Sequence, residues 1–200
     1  GADGPTHHGT FDLAFLNAIP NLTILSPMDE HELRNMMYWA VDYIGGPVVI
    51  RYPRGSGSKL EYKNEIQQLK IGSSRTLTSG SKLAILSMGQ IGIEVQKAIS
   101  NNQLEGTVTH VDARFMKPLD LQKIGELFRS FDKVITIEES CLLGGFGQQI
   151  KALAQDSGYQ GTITSLGLPD VFVEHGEISE LRAKYCLDAD GIGMVISTLL

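Results

Sequence analysis

A strand–helix–strand pattern near the start of the chain constrains its fold more than any other feature. Residues 21–25 (NLTIL) have strand composition, and residues 47–52 (PVVIRY) form a second apolar run rich in β-branched side chains. Between them, apolar residues recur at helical spacing from Glu30 to Tyr43, after Asp29, which is a suitable N-cap. Two strands joined by a crossover helix within about thirty residues pair in parallel, so the sequence predicts an α/β fold.

The same alternation of strand and helix patterns continues through the second half of the chain. It predicts a mostly parallel sheet between two layers of helices. We expect strands and terminal helices at the following positions: an edge strand at 74–78, further strands at 83–88, 107–111, 133–137 and 162–166, and helices at 177–184 and 189–199. Residues 112–118 (DARFMKP) are expected to form a loop before the helix that Asp120 caps.

A polar stretch separates the two halves of the chain. Residues 58–70 are rich in Lys, Glu and Gln and lack a sustained hydrophobic period, which is typical of a linker. We therefore expect one unit over residues 1–57 and a second over residues 71–200. A chain of 200 residues is long enough to bury a sizeable core in this arrangement.

Charge and cysteine content bound the functional classes. The 17 basic and 23 acidic residues give a formal net charge of −6, and no Lys/Arg run marks a nucleic-acid surface or an anionic membrane site. No apolar run approaches the ~18 residues of a membrane-spanning helix. Cys141 and Cys186 form no CxxC pair or disulfide framework, so we expect small packing residues in a reducing compartment.

The first nine residues, GADGPTHHG, combine an acidic residue with two adjacent histidines. Asp3, His7 and His8 lie among glycines and a proline, a setting that can hold an imidazole at a fixed angle beside a carboxylate. Such a pair can orient a substrate hydroxyl, transfer a proton or bind a metal. The residues alone fit equally well a loop in which these side chains only stabilise a turn. A metal site is less favoured, because no third and fourth ligand lie at a recognisable spacing.

The second predicted strand ends in two arginines, Arg51 and Arg54. Ligands of open α/β sheets bind beyond the carboxyl ends of the strands, and a planar guanidinium can donate two parallel hydrogen bonds to a phosphate or carboxylate. A structural ion pair explains the arginines equally well from the residues alone. Because side chains alternate across a strand, both arginines need not face the same site.

Three features of the second half favour structural roles. Residues 144–147 (GGFG) lack the GxGxxG spacing and follow two carboxylates that would repel a phosphate, so we expect close helix packing there. Glu138 and Glu139 are adjacent on a strand and point to opposite faces, so they are not expected to act on one substrate together. His175 precedes a predicted helix and is expected to be a cap or an interface residue.

Motifs along the whole chain resemble one enzyme family. They are DGPTHHG at 3–9, IRYPRG at 50–55, RFMKPLD at 114–120, GGFGQQI at 144–150 and GLPDVFVEHG at 167–176. Together they closely resemble the 1-deoxy-D-xylulose-5-phosphate synthases, which are thiamine-diphosphate enzymes of the transketolase superfamily. DGPTH alone also resembles transketolase itself, whereas the full set favours the synthases.

This resemblance implies a fold of two units. Residues 1–57 would be the C-terminal half of the transketolase pyrimidine-binding domain, and residues 71–200 would be the transketolase C-terminal αβα sandwich with a mostly parallel sheet. The family's upstream domain, which binds the diphosphate of the cofactor, would be missing from this chain. We therefore expect the chain alone to be an inactive fragment.

The resemblance also implies a reaction. The family condenses pyruvate with D-glyceraldehyde 3-phosphate, releases CO₂ and forms 1-deoxy-D-xylulose 5-phosphate, a precursor of isoprenoids, thiamine and pyridoxal. Its cofactors are thiamine diphosphate and Mg²⁺, both bound mainly by parts that this chain lacks. By resemblance His7 and Asp3 are catalytic: His7 contacts the reacting oxygens, and Asp3 holds His7 or an acceptor hydroxyl. Arg54 then binds the terminal phosphate, and His8 is a second substrate-binding candidate.

The implied assembly is a homodimer that includes the missing N-terminal part of the same protein. The implied location is the cytoplasm, or the plastid in a plant or alga, with neither nucleic acid nor membrane as a partner. One alternative is another transketolase-superfamily enzyme, such as transketolase or the β subunit of a 2-oxo acid dehydrogenase decarboxylase. A second is a non-catalytic module for dimerisation or assembly, and a third is a flavodoxin-like nucleotide binder based on GGFG.

Overall fold

The computed structural model describes residues 1–55, 57 and 65–200. Its elements are α1 Asp12–Asn17, β1 Thr23–Leu25, α2 Glu30–Asp42, β2 Val48–Ile50, β3 Arg75–Thr78, β4 Gly80–Met88, α3 Ile91–Asn101, β5 Gly106–Asp112, β6 Phe115–Lys117, α4 Leu121–Ser130, β7 Lys133–Cys141, α5 Phe146–Asp156, β8 Thr162–Leu168, α6 Ile178–Lys184 and α7 Ala189–Leu199. They form a three-stranded sheet in the order β2-β1-β6 and a five-stranded sheet in the order β3-β5-β4-β7-β8. The predicted α/β fold with a mostly parallel sheet is confirmed.

The predicted crossover unit is present in the first part of the chain. β1 and β2 pair in parallel, and α2 connects them. Asp29 caps α2, because its side chain accepts a hydrogen bond from the amide of Glu32 at 2.9 Å. Met36 is fully buried, but Met37 and Val41 are exposed, so the apolar positions of α2 do not form one buried face. The buried side carries Glu32 instead, which belongs to a charged cluster described below.

The five-stranded sheet is covered by helices on both faces. Along β4, Leu83 and Ile85 pack with α3 and α7, whereas Ala84 and Leu86 pack with α4 and α5 on the opposite face. This division follows from the two-residue side-chain period of a strand. β3 lies at the edge of the sheet, as predicted, and pairs antiparallel with β5.

The predicted loop at residues 112–118 is wrong, because it contains a strand. Phe115–Lys117 form β6, which pairs antiparallel with β1 and joins the second half of the chain to the sheet of the first half. Phe115 is fully buried in a cluster with Met36 and Leu69. A three-residue strand whose partner lies far away in the sequence leaves no local pattern, so this pairing is visible only in three dimensions.

The predicted linker at 58–70 lies partly outside the described residues, which omit 56 and 58–64. Residues 65–70 contain no helix or strand, and Leu69 among them is buried. The division into units at residues 57 and 71 stays a prediction.

A buried group of charged residues connects the two sheets. Arg75 of β3 lies 3.1 Å from Asp112 of β5, 3.3 Å from Glu32 and 3.4 Å from Asp29 at the start of α2. Arg114 donates a hydrogen bond to Glu32 at 2.9 Å. These charges are compensated within the group, which a buried charge requires. Asp112 is the most deeply buried carboxyl group among them, and its burial away from water still favours the neutral form.

Asp112 makes the stability of the fold depend on pH. Burial raises the pKa of its carboxyl to about 7, although Arg75 opposes the shift. The folded protein therefore binds this proton more tightly than the unfolded chain does. The stability that the proton contributes is complete at acid pH and is lost as the pH rises through 7.

We expect Asp112→Asn to remove this loss. Between pH 5 and pH 8 the wild type should lose about 3 kcal/mol of its free energy of unfolding through this group. The variant should not show this loss, because the amide does not ionise. Urea denaturation at both pH values measures the difference, and Asp156→Asn at the exposed end of α5 is the control. Parallel pH profiles of wild type and Asp112→Asn would contradict the assignment.

Candidate functional site

A cavity of about 680 Å³ lies where the two halves of the chain meet. The loop at the start of the chain forms one wall, and the end of β2 with residues 51–55 forms a second. The third wall comes from the second half and includes Glu139 at the end of β7 and Arg182 on α6. The cavity therefore brings together all four residues that the sequence proposes as a site, namely Asp3, His7, His8 and Arg54.

Two glycines give the first loop its shape. Gly4 and Gly9 have φ angles of 82° and 64°, which side chains other than glycine rarely adopt. At Gly9 an added Cβ would also lie only 2.7 Å from the carboxylate of Asp12. The amide of His7 donates to the carbonyl of Gly4 at 3.0 Å, which closes a turn just before the histidine pair. The loop is therefore a defined turn, as its glycines predict.

The two histidines have different surroundings. His7 is exposed, and a hydrogen bond of 2.9 Å joins its Nδ1 to the hydroxyl of Thr6. Its Nε2 has no hydrogen-bond partner among the described residues. His8 is partly buried, and its Nε2 donates to the carbonyl of Gly1 at 2.8 Å. His8 therefore holds the loop, whereas His7 has a ring nitrogen available to a ligand.

Asp3 forms an ion pair with Arg54 at the mouth of the cavity. The side chain of Arg54 is 84% exposed and that of Asp3 is 43% exposed, so water screens the pair and a ligand can displace one partner. His7 is joined to Thr6 instead of Asp3. Two roles are predicted for Asp3, namely holding His7 or binding a hydroxyl of the acceptor. The first would require His7 to leave Thr6, whereas the second requires no rearrangement of His7.

The other arginine of β2 faces the second half of the chain. Arg51 Nη2 donates to the backbone carbonyl of Glu139 at 3.2 Å, and the Glu139 carboxylate accepts from Arg182 Nε at 2.7 Å. Arg51 and Glu139 thus connect two walls of the cavity. The expectation that Arg51 and Arg54 need not share one orientation fits these separate partners.

Glu138 points away from the cavity and stabilises the start of α5. Its carboxylate accepts hydrogen bonds from the amides of Phe146 and Gly147, each at 2.8 Å, and from the hydroxyl of Ser140. The side chain thus occupies the place where a phosphate would bind at this helix start. An added Cβ on Gly147 would lie 2.6 Å from Thr136 Oγ1. Close packing as the role of the GGFG turn is confirmed.

We expect Glu138→Ala to lower the free energy of unfolding by about 2–4 kcal/mol, because two buried amides lose their acceptor. Thermal or urea denaturation measures the change. Glu105→Ala on an exposed turn is the matched control. Equal effects of the two substitutions would show that the helix start does not depend on Glu138.

The remaining predictions for single residues have mixed outcomes. His175 lies before α6, and its Cβ is 3.7 Å from the position that a Cβ on Gly4 would take, so it packs against the first loop. Cys141 is buried, as expected of a packing residue. The same expectation is wrong for Cys186, which is exposed in the turn after α6 with a φ of 56°.

Sequence reasoning missed several residues of the cavity. Gln90 follows β4 and Glu139 lies near the end of β7, and neighbouring parallel strands bring such positions to one edge. That signal could have identified both residues. Arg182 and Tyr185 line the cavity because of the way α6 docks. No comparable signal in the sequence indicates their position.

Within residues 1–55, 57 and 65–200, no three His, Cys, Asp or Glu side chains are grouped so that they could hold a metal ion. In the same part of the chain, no helix has the length and apolar character needed to cross a membrane. Among the described residues no such group of metal ligands is present for the Mg²⁺ that the resemblance implies.

Two family models match the chain. Residues 1–59 match the model described as transketolase, pyrimidine binding domain, and residues 72–192 match transketolase, C-terminal domain. The chain belongs to the transketolase family. The second match alone covers more than half of its 200 residues.

Curated members of one enzyme class within this family resemble the chain along most of its length. The chain is 44% identical over 198 residues to a 1-deoxy-D-xylulose-5-phosphate synthase of Phocaeicola vulgatus, covering 98% of this chain and 31% of that protein. It is 42% identical over 203 residues to the synthase of Cytophaga hutchinsonii, covering 100% and 32%. The chain spans about a third of the length of these relatives. It resembles their C-terminal portion, as the motifs predict.

Solved structures agree on the fold. A split-gene transketolase, solved as an inactive β4 tetramer, superimposes with a TM-score of 0.83 at 26% identity, covering 98% of this chain and 63% of that one. A transketolase variant from Pichia stipitis superimposes with a TM-score of 0.73 at 16% identity, covering 100% and 28%. The second likeness supports the fold alone.

Proposed function

We propose that this chain is part of a transferase that condenses pyruvate with D-glyceraldehyde 3-phosphate, releases CO₂ and forms 1-deoxy-D-xylulose 5-phosphate. The observation that carries the proposal is the 40–44% identity to synthases of that name over nearly the whole chain. The placement of the first loop and Arg54 in one cavity supports it. Thiamine diphosphate with Mg²⁺ would supply the carbanion chemistry.

In this proposal the phosphate of the acceptor binds Arg54. The guanidinium is exposed and paired only with the partly exposed Asp3 among the described residues, so a dianionic phosphate can replace that carboxylate. Asp3 is then free to accept a hydrogen bond from a hydroxyl of the same acceptor. The ion pair therefore places Arg54 and Asp3 close enough together to bind the same three-carbon phosphate.

His7 acts at the other end of the acceptor. Its Nε2 is available, and the hydrogen bond between Thr6 and Nδ1 orients the ring. From the loop it can donate a proton to the aldehyde oxygen as that oxygen becomes a hydroxyl. His8 is secondary, because its Nε2 is bonded to the carbonyl of Gly1.

We further propose the organisation that accompanies this reaction. Residues 1–57 and 71–200 act as two units, the assembly is a homodimer in the cytoplasm, and most contacts of thiamine diphosphate and Mg²⁺ come from polypeptide outside this sequence. The chain by itself would then lack activity. Family membership and the coverage of only about a third of the curated relatives' length support this organisation.

Product analysis tests the reaction. The protein is expressed from its complete reading frame and incubated with pyruvate, glyceraldehyde 3-phosphate, thiamine diphosphate and Mg²⁺. We expect one CO₂ released for each deoxyxylulose phosphate seen by NMR. Transfer of a two-carbon unit from a ketose phosphate, without pyruvate turnover, would contradict the proposal and favour transketolase.

We expect His7→Ala to lower kcat by roughly 10²- to 10³-fold in that assay, which is the usual cost of losing one transition-state hydrogen bond. His31→Ala, on α2 and outside the cavity lining, is the control. An unchanged kcat for His7→Ala would remove His7 from the mechanism.

We expect Arg54→Ala to raise KM for glyceraldehyde 3-phosphate by roughly 10- to 100-fold and to leave KM for pyruvate within about 2-fold, because only the acceptor loses a charged hydrogen bond. Arg129→Ala, exposed at the end of α4, is the control. Steady-state kinetics with unphosphorylated glyceraldehyde should show little difference between Arg54→Ala and wild type. Equal increases in both KM values would indicate a folding role for Arg54.

A further inference from the structure

The last three residues of β7, Glu139–Cys141, contact both sides of the candidate site. The carbonyl of Glu139 accepts from Arg51 Nη2 at 3.2 Å, on the side of the proposed phosphate. The amide of Cys141 donates to the carbonyl of Thr10 at 2.8 Å, on the side of the histidines. We call this segment the β7 end. It links two parts of the site that come from opposite ends of the first fifty-five residues.

Arg51 is the last residue before Arg54 whose backbone is held by hydrogen bonds. Its amide donates to the carbonyl of Leu25 at 2.8 Å, and its carbonyl accepts from the hydroxyl of Ser26 at 3.0 Å. Within the described chain, residues 52–55 make no further backbone hydrogen bond. The backbone that carries Arg54 is therefore anchored at Arg51, whose side chain also donates to the β7 end.

Arg182 in turn fixes the β7 end. Its Nε donates to Glu139 Oε1 at 2.7 Å, its Nη2 donates to Gln90 Oε1 at 3.1 Å, and its Nη1 lies 3.5 Å from Glu94 Oε1. One guanidinium on α6 thus spans β7, the turn after β4 and α3. The side chain is only 16% exposed, so water competes weakly for these donors.

The surroundings of Arg182 argue against a direct phosphate contact. Two carboxylates, from Glu139 and Glu94, already accept hydrogen bonds from its guanidinium and would repel a phosphate. Burial lowers the pKa of the Arg182 guanidinium, but Glu139 and Glu94 together outweigh burial, so the pKa is raised above its usual value. Arg54, in contrast, is exposed and has a displaceable partner.

We propose that Arg182 is a positioning residue for the condensation. Through Glu139 it holds the β7 end, which sets Arg51 on the phosphate side and Thr10 on the histidine side. The inference rests on the proposed function and extends it, because every residue with a role in that function lies within residues 1–57. One half-buried arginine far from the first loop in sequence then controls both acceptor binding and the placement of His7.

Kinetics of the protein from its complete reading frame test this role. We expect Arg182→Gln to raise KM for glyceraldehyde 3-phosphate and to lower kcat, each by roughly 5- to 20-fold, because both sides of the site shift. KM for pyruvate should stay within about 2-fold. Arg182→Lys, which keeps the charge but not the planar fork, should recover only part of the loss. Arg129→Gln is the control.

A double-mutant cycle separates positioning from direct contact. If Arg182 acts through Arg54, then Arg182→Gln added to Arg54→Ala should change KM for the phosphorylated acceptor by no more than about 2-fold. Additive effects on that KM would show that Arg182 binds the phosphate itself and would overturn the proposal. Kinetic constants of Arg182→Gln equal to those of wild type would overturn it as well.

Amide hydrogen exchange gives a readout that does not need activity. We expect exchange at the hydrogen-bonded amides of the first loop and at the amides of Arg51 and Cys141 to be roughly 10-fold faster in Arg182→Gln and unchanged in Arg129→Gln. Unchanged exchange in Arg182→Gln overturns the positioning role. Wild-type protein that lacks the condensation overturns the proposed function, and the exchange data then still decide whether Arg182 holds the β7 end.

Discussion

The pairing of β6 with β1 is the contact on which the rest of the structure depends. It places a strand from the second half of the chain in the sheet of the first half. The buried group around Arg75 lies at the same junction and compensates carboxylates from both halves. Because of this junction, the end of β2 and the end of β7 open into one cavity, whose walls come from both halves.

Burial separates the carboxylates of the molecule into fixed and displaceable groups. Glu138 and Glu139 are adjacent, yet one stabilises the start of α5 and the other holds Arg182 beside the cavity. Asp3 pairs with Arg54 in a largely solvated setting, where an ion pair contributes little and yields to a stronger ligand. A largely buried, hydrogen-bonded frame around one exposed ion pair is an arrangement suited to binding a phosphate.

Much of the fold could be predicted from the sequence because its signals are local. The N-caps Asp29 and Asp120, the parallel pairing of β1 with β2 and the edge position of β3 all follow from short patterns. β6 could not be predicted, because its pairing is set by a distant strand. The motifs found the loop and Arg54, but the hydrogen bonds of Arg182 depend on how α6 docks, which no local spacing records.

The most direct test is a crystal structure of the protein from its complete reading frame with glycerol 3-phosphate, a three-carbon phosphate that cannot react. We expect the phosphate on the guanidinium of Arg54, the Asp3 carboxylate released from that arginine, and a ligand hydroxyl near His7 Nε2. A phosphate bound elsewhere, with the pair between Asp3 and Arg54 intact, would contradict the proposed acceptor site.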